Sequence, residues 1–315
     1  MTAARERPEP SGLHWTVVVD AARGDDDLRS VRDLLRLCES VINLAGLSGF
    51  NSMGSPRKDA DALVFETLEI RDHSDRYLDA RVTSLERTAI LDRLELRVSG
   101  PTPVPYLTGE AFFAGRRFSV RPGVFIPRSA LGHLLDEVLA IVPWSDTPRA
   151  LELGCGSGAL GICVALLAQE ARVDLVDVEP LAVEVTADNI VRHGLTTRVQ
   201  VQVSDMFDGV DPAVRYDLVI ANLPYVPADQ QGSTNGEIDA EPSLAVYRPG
   251  DGLDLVRTTL EETVLHLSEN GLLVLEVGTS NESPVRDLLA GRGRWWSLGD
   301  RAAGVVSLTR DELKG

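Results

Sequence analysis

The sequence predicts an α/β protein in three parts: a helical N-terminal domain over residues 1–104, a β-hairpin linker over 105–127, and a seven-stranded, doubly wound sheet domain over 128–315. Three observations support this division. Apolar residues recur at helical spacing in the first third, prolines cluster near residue 103, and short apolar runs alternate with helical patterns from about residue 131 onward. The length of 315 residues fits two domains of ordinary size.

The N-terminal domain is predicted to consist of helices. Apolar side chains recur at three- and four-residue spacing over 28–47, 57–70 and 76–97, and Gly46 closes the first of these patterns. Residues 1–12 are charged and contain prolines, and they are predicted to form a disordered leader. Because the domain contains no cluster of catalytic residue types, we expect it to recognise substrate.

The linker begins where prolines end the helical pattern. Pro101, Pro103 and Pro105 interrupt it, because proline lacks an N–H donor and breaks a helix. Aromatic and β-branched residues then surround turns at Gly115 and Gly123. This arrangement predicts a β-hairpin.

Seven short apolar runs of the third part are predicted strands, at residues 150–153, 173–176, 199–203, 217–220, 272–277, 295–298 and 305–308. Helical patterns lie between them at 159–168, 181–193, 253–267 and 285–289. Regular alternation of strand and helix favours a parallel, doubly wound sheet.

Composition and charge narrow the class of protein. Lys and Arg number 31 against 48 Asp and Glu, and the formal net charge of −17 comes with no basic run, so direct nucleic-acid binding is not expected. The excess acid would attract a cationic small substrate, or it serves solubility alone. Cys38, Cys155 and Cys163 show no metal or disulfide spacing. No apolar run suits a signal peptide or a membrane span, so we expect a cytoplasmic protein without a metal.

A glycine-rich loop joins the first predicted strand of the sheet to a helix. It reads Glu152-Leu-Gly154-Cys-Gly156-Ser-Gly158. Glycines let the backbone turn tightly and approach a ligand, next to the amides at the start of the helix. The spacing differs from the G-x-G-x-x-G of dinucleotide oxidoreductases, and the preceding acid would repel a pyrophosphate but pair with an ammonium. The loop therefore favours S-adenosylmethionine over a dinucleotide.

Two further acids follow the second and third strands of the sheet. Asp177 is placed to accept hydrogen bonds from ribose hydroxyls, and its alternative role is a solvated acid at a strand end. Asp205 is placed to accept from the adenine amino group, and its alternative role is a helix N-cap. The predicted cofactor site also includes Phe125, Pro127, Arg128, Val178, Met206 and Asn222.

The acceptor motif (Asn222-Leu-Pro-Tyr225) lies at the carboxyl end of the fourth strand, where ligands bind in open α/β sheets. A planar nitrogen has a conjugated lone pair and must be held in line with the methyl group. The Asn222 side-chain oxygen and the Leu223 carbonyl can accept its N–H groups, Tyr225 can flank it, and Pro224 stiffens the turn. The motif predicts N-methylation, and its alternative is an ordinary turn.

These residues resemble the HemK-type protein-(glutamine side-chain amide) methyltransferases, over roughly residues 30–312. Ser129 and residues 296–313 are similar to the branch that acts on a large-subunit ribosomal protein. The resemblance implies a class I, Rossmann-like methyltransferase fold with S-adenosylmethionine as cofactor, and it makes Gly154, Asp177, Asp205 and Asn222 the functional positions. It extends to residues 105–110, 126–128, 241–242, 250–254 and 275–278.

The prediction of the acceptor rests on one departure from the family pattern and on the acids of the segment that follows the motif. The family pattern is Asn-Pro-Pro-Tyr, whereas this chain has Leu223, as ribosomal-RNA adenine dimethyltransferases do; those enzymes lack the helical domain and are generally basic. The segment 226–250 (the acidic segment) carries Glu237, Asp239 and Glu241, which would bind a cation if they faced the pocket. The leading predicted acceptor is therefore the guanidinium of free L-arginine, or a similar small cationic amino acid of specialised metabolism. A glutamine of a ribosomal protein or release factor is the alternative, and a non-catalytic, cofactor-binding regulatory protein is a further one.

Overall fold

The computed structural model describes residues 14–25, 27–47, 54–100, 102–232, 237–296 and 303–314. Contacts between residues divide the chain into two units. The helical unit comprises residues up to Gly109 together with 235–240, and the sheet unit comprises 110–234 and 241–315. The predicted leader at 1–12 lies outside the described residues.

The helical unit contains α1 (Trp15–Gly24), α2 (Val31–Leu44), α3 (Pro56–Thr67), α4 (Ser84–Ser99) and α5 (Val104–Thr108). Three of these helices match the predicted patterns, and α1 has no predicted counterpart. None of the helices in the described ranges is long and apolar enough to cross a membrane.

The start of α4 corrects the prediction of a helix from residue 76. The Thr83 Oγ1 accepts the Glu86 N–H at 3.2 Å, and the Glu86 carboxylate accepts the Thr83 N–H at 2.7 Å. This capping box satisfies the first N–H groups of the helix and therefore fixes its beginning at Ser84. The apolar spacing alone gives no sign of that boundary.

The core of the helical unit lies between α2, α3 and α4. Leu34, Ile42, Leu63 and Ile90 are all fully buried there. Burial of each such side chain contributes about 1.5–3 kcal/mol to folding. The apolar periodicity that predicts these helices is therefore also the origin of the core.

The helix α5 corrects the predicted start of the hairpin linker. Residues 105–108 are helical, because a proline at the first turn of a helix lacks only an N–H that would have no partner there. Gly109 ends the helix with φ +76°. The hairpin follows as β1 (Glu110–Phe113) and β2 (Arg116–Ser119), which pair antiparallel.

The sheet unit continues with α6 (Leu135–Ile141), β3 (Arg149–Leu153), α7 (Ala159–Leu167), β4 (Arg172–Asp177), α8 (Pro180–Arg192), β5 (Val199–Val203), β6 (Tyr216–Ala221), β7 (Val226–Pro227), α9 (Ser243–Val246), β8 (Tyr247–Arg248), α10 (Asp254–His266), β9 (Leu267–Gly278), α11 (Glu282–Leu289), β10 (Arg294–Trp296), β11 (Ala303–Thr309) and α12 (Arg310–Lys314). Seven of the described strands form the main sheet in the order β10-β11-β9-β6-β3-β4-β5. The predicted seven-stranded α/β fold is confirmed.

The sheet is mixed rather than wholly parallel as predicted. The strands β3, β4, β5, β6 and β9 pair parallel, whereas β11 pairs antiparallel with both β9 and β10. Residues 297–302, which connect β10 to β11, are too few for the crossover that parallel neighbours require. An antiparallel pair at this edge is therefore the arrangement that the chain can reach.

The order of the strands locates a ligand site. From β3 the chain builds outward through β4 and β5, and it then returns to place β6 on the other side of β3. At such a reversal the loops leave β3 and β6 on opposite faces and open a crevice at their carboxyl ends. The glycine loop follows β3 and the acceptor motif follows β6, so both predicted motifs meet at this crevice.

Candidate functional site

A cavity of about 480 Å³ occupies the crevice between the ends of β3 and β6. Its walls come from the segment before α6, the glycine loop, the ends of β4 and β5, the acceptor motif, and the region of α9 and α10. The predicted site residues that line it are Phe125, Pro127, Arg128, Glu152, Gly154, Gly156, Asp177, Val178, Asp205, Met206, Asn222, Leu223 and Pro224.

The glycine loop is shaped by left-handed backbone. Gly154, Gly156 and Gly158 have φ of +62°, +57° and +73°, which side chains other than glycine rarely adopt. A Cβ on Gly154 would lie 2.9 Å from Leu223 Cδ2. The loop therefore packs directly against the acceptor motif. Gly158 is not part of the cavity wall among the described residues, and it caps α7 instead.

Glu152, the penultimate residue of β3, is a buried acid at the cavity wall. Its Oε2 accepts the Gly161 N–H at 2.8 Å. Burial raises the pKa of Glu152 to about 8, and the charge of Asp177 adds to the shift. A buried acid held by backbone N–H alone gains most from a cationic ligand, so Glu152 suits an ammonium group.

Asp177 ends β4 on the same cavity. Its two oxygens accept the Gly156 N–H at 2.7 Å and the Glu179 N–H at 2.9 Å. Burial raises the pKa of Asp177. Asp205 and Met206 line the cavity after β5, and Met206 has φ +45°. Three carboxylates thus follow three adjacent strands of the sheet.

The cavity fits S-adenosylmethionine. Its cradle is a loop of glycines, and a Cβ on Gly156 would project to 3.7 Å from the Phe125 Cβ, into the space between the loop and the opposite wall. The cofactor carries an ammonium and a sulfonium against one carboxylate. Glu152 would hold the ammonium, Asp177 the ribose hydroxyls and Asp205 the adenine amino group.

The acceptor motif continues directly from β6. Asn222, Leu223 and Pro224 line the cavity. The Tyr225 ring instead packs on Gly278, where a Cβ would overlap it, and the Tyr225 carbonyl accepts the Asn281 Nδ2 hydrogen at 2.7 Å. Burial raises the pKa of Tyr225 to about 12. The tyrosine is therefore neutral and anchors the end of the motif.

Comparison with known proteins places this geometry in a family. Residues 118–238 match the family model of the methyltransferase small domain. The chain is 38% identical over 295 residues to the ribosomal protein uL3 glutamine methyltransferase of Bordetella pertussis, covering 91% of this chain and 97% of that protein. Proteins of the same name match from Burkholderia pseudomallei (37% identical, 79% and 84% covered) and Francisella tularensis (31% identical, 91% and 92% covered).

The chain belongs to the HemK-type family of class I methyltransferases. It is an S-adenosylmethionine-dependent N-methyltransferase, as the glycine loop and the acceptor motif predict. The relatives favour the alternative acceptor, a protein glutamine, and they give no support to free arginine as the leading one.

The acidic segment shows why the arginine prediction loses its basis in this methyltransferase. Glu237 is buried and pairs with Arg97 of α4. Glu241 is buried and pairs with Arg128, while it also accepts the Ile126 N–H at 3.0 Å. Asp239 is exposed, and none of the three lines the cavity in the described part of the chain. A cationic partner offsets the cost of burying a carboxylate, and for Glu237 and Glu241 arginines of the chain supply it.

Sequence reasoning did not predict Glu276, which holds Ser129 of the cavity wall. This residue of β9 is buried, and its Oε2 accepts the Ser129 Oγ–H at 2.5 Å and the Leu131 N–H at 3.1 Å. Burial raises its pKa. A single acid inside an apolar strand is the signal that could have found it, because such an acid needs partners. The lining residues that were not predicted as site residues are Phe113, Ser129, Cys155, Ser157, Ala159, Leu160, Glu179, Ser204, Asp208, Leu244, Ala245, Arg248, Asp254, Leu255, Thr258 and Glu262.

Proposed function

We propose that this enzyme methylates the side-chain amide nitrogen of a glutamine in a ribosomal protein. The observation that carries the proposal is the contact between Leu223 and Gly154, which joins the acceptor motif to the cofactor cradle in one cavity. The acceptor is supported by relatives that bear the name ribosomal protein uL3 glutamine methyltransferase and align over most of the chain.

The chemistry divides between the cofactor and the chain. Bound S-adenosylmethionine supplies a methyl group activated by the sulfonium. The Asn222 side-chain oxygen and the Leu223 carbonyl accept the two amide N–H groups and orient the nitrogen toward the methyl group. Because the amide lone pair is conjugated, orientation is the main contribution of these residues. The extra proton leaves the nitrogen late, so no side-chain base is required before transfer.

The helical unit is assigned recognition of the protein substrate. It carries its own core, and its buried polar group of Asp59, Arg97 and Glu237 joins Glu237 to α3 and α4 within the unit. A protein acceptor needs contacts beyond one amide, and a separately folded unit provides such a surface. A cytoplasmic location, where ribosomal proteins are made, forms part of the same proposal.

A transfer assay tests the acceptor directly. The full chain is incubated with methyl-labelled S-adenosylmethionine and, in separate reactions, purified ribosomal protein uL3, a release factor and free L-arginine. We expect label in uL3 at a glutamine that tandem mass spectrometry identifies, and none after that glutamine is replaced by asparagine, whose amide is one methylene shorter. The Asn222→Ala variant controls for contaminating activity. Label in free arginine alone overturns the proposal.

A further inference from the structure

One wall of the cavity is held by a carboxylate that does not touch the cavity. Phe125, Pro127 and Arg128 line it, and Glu241 lies behind them. Glu241 Oε2 accepts the Ile126 N–H at 3.0 Å, and Oε1 accepts from Arg128 Nη1. Both carboxylate oxygens of the buried Glu241 therefore bind residues of this wall.

The wall extends from Glu241 to the glycine loop through packed groups. The Arg128 guanidinium carbon lies 4.3 Å from the centre of the Phe125 ring. Phe125 in turn faces Gly156, whose N–H binds Asp177 at 2.7 Å. The position of Phe125, opposite the cradle, thus depends on a contact with Arg128, and Arg128 depends on Glu241.

The pair of Glu241 and Arg128 also affects the charge of the cavity. Among the described lining residues the only cations are Arg128 and Arg248, and each is paired, with Glu241 and Asp254 respectively. The acidic side chains of the lining outnumber them, and they are Glu152, Asp177, Glu179, Asp205, Asp208, Asp254 and Glu262. A cavity that binds a cofactor of net positive charge gains from keeping its arginines neutralised.

We propose that Glu241 is a positioning residue of the cofactor site. It fixes residues 125–128 against the glycine loop, and it neutralises Arg128 so that the wall does not repel the sulfonium and ammonium of the cofactor. The inference rests on the cofactor alone, so it stands or falls independently of the glutamine acceptor.

Calorimetry with two probes separates the two roles. S-Adenosylmethionine carries the sulfonium charge, and S-adenosylhomocysteine differs from it only by loss of the methyl group and, with it, of that charge. In the full chain we expect Glu241→Gln to weaken S-adenosylmethionine by about tenfold or more. It should weaken S-adenosylhomocysteine clearly less, because glutamine keeps the volume and an oxygen for the Ile126 N–H while it loses the charge.

A second variant tests the sign of the effect. Arg128→Met removes the cation from the wall and keeps Glu241, so the ratio of S-adenosylmethionine to S-adenosylhomocysteine affinity should rise, opposite to Glu241→Gln. The double variant should return that ratio toward the wild-type value. Glu184→Gln, at an exposed pair with Arg121 in the same unit, serves as the matched control and should change neither affinity.

Two outcomes overturn the proposal: unchanged affinities in Glu241→Gln, and tighter S-adenosylmethionine binding, which would mean that a freed Arg128 binds the cofactor carboxylate. Equal weakening of both probes overturns the electrostatic role, because Glu241 would then act through the position of residues 125–128 alone. If Glu241→Gln does not fold, as judged by circular dichroism, the ratio measured in Arg128→Met decides alone: a fall or no change contradicts the proposal. Methyl transfer at saturating cofactor should keep its kcat within a few-fold in Glu241→Gln, with the loss expressed in the KM for cofactor.

Discussion

The glycine loop with Asp177 and the acidic segment are both rich in carboxylates, yet the fold uses them in opposite ways. Glu152 and Asp177 are held by backbone N–H groups and line the cavity. Glu237 and Glu241 are held by the guanidinium groups of Arg97 and Arg128 and lie outside it. Glu152 and Asp177 can therefore still be stabilised by a positively charged ligand, whereas Glu237 and Glu241 are already stabilised by arginines of the chain.

This difference gives a criterion that separates buried acids with a structural role from buried acids that bind a ligand. A buried carboxylate costs free energy unless a cation or several donors compensate it. When an arginine of the same chain compensates it, the acid is part of the structure; when backbone N–H groups alone compensate it at a cavity, it is ready for a cationic ligand. The criterion predicts losses of stability for the acidic segment and losses of binding or rate for the cavity.

The largest effect is expected at Arg97. Its side chain is fully buried between Asp59, at 3.0 Å, and Glu237. Arg97→Met leaves two buried carboxylates without their cation, so we expect a loss of about 3–5 kcal/mol in the free energy of unfolding. Chemical denaturation followed by circular dichroism measures it. Arg32→Met, at an exposed pair with Asp79 in the same unit, is the control and should leave stability unchanged. A loss at Arg97 no greater than in that control would refute the structural reading.

Substitution of a residue that lines the cavity is expected to lower the rate of methyl transfer rather than the stability of the protein. Asn222→Ala removes a hydrogen-bond acceptor that orients the nitrogen, so kcat should fall by at least about 100-fold. Cofactor affinity should stay within about tenfold, or ~1.4 kcal/mol. Single-turnover transfer and calorimetry measure the two quantities. Asn43→Ala, on the surface of α2, is the matched control. Equal losses of rate and affinity would remove Asn222 from the acceptor site.

The predictability of the site from sequence follows the same division. The edge strand β5 is predicted to the residue, because Val and Gln alternate along it. The strands β3, β4 and β6 are predicted to within one residue at each end, because central strands are largely apolar on both faces. The roles of Glu237 and Glu241 could not be predicted, since their arginines lie 140 and 113 residues away along the chain. Local patterns specify elements and the residues at their ends. They do not specify which distant cation a buried acid will meet.

A smaller effect is expected at the contact between the two motifs. Gly154→Ala adds a Cβ 2.9 Å from Leu223 Cδ2 at a φ of +62°, and we expect a loss of about 1–3 kcal/mol in stability together with weaker cofactor binding. Gly194→Ala, at φ +70° with no atom within 4 Å of its added Cβ, isolates the cost of backbone strain. The double variant Gly154→Ala with Leu223→Ala relieves the contact and should recover part of the affinity. If Gly154→Ala and Gly194→Ala behave alike, the contact with Leu223 has no energetic importance.

The smallest effect is expected in how stability and cofactor affinity depend on pH through Glu152. Burial raises the pKa of this side chain from 4.5 to about 8. Because the folded protein holds this proton more tightly than the unfolded chain, Glu152 lowers stability as pH rises from 4.5 toward 8. Binding of the cofactor ammonium requires the ionised acid, so cofactor affinity should rise with pH by at most about tenfold per pH unit and level off above 8.

Calorimetry across that pH range, repeated in buffers of different ionisation enthalpy, should detect the release of a proton on cofactor binding. Glu152→Gln, which keeps the volume and cannot ionise, should abolish the part of the pH dependence that Glu152 contributes. Asp177, whose pKa is also raised by burial, is expected to contribute to the residual slope. An affinity independent of pH in the wild-type chain would mean that cofactor binding does not change the protonation of Glu152. Glu152 would then not be a carboxylate that binds a cationic ligand. The distinction between acids that bind a ligand and acids that pair with an arginine of the chain would fail at this residue.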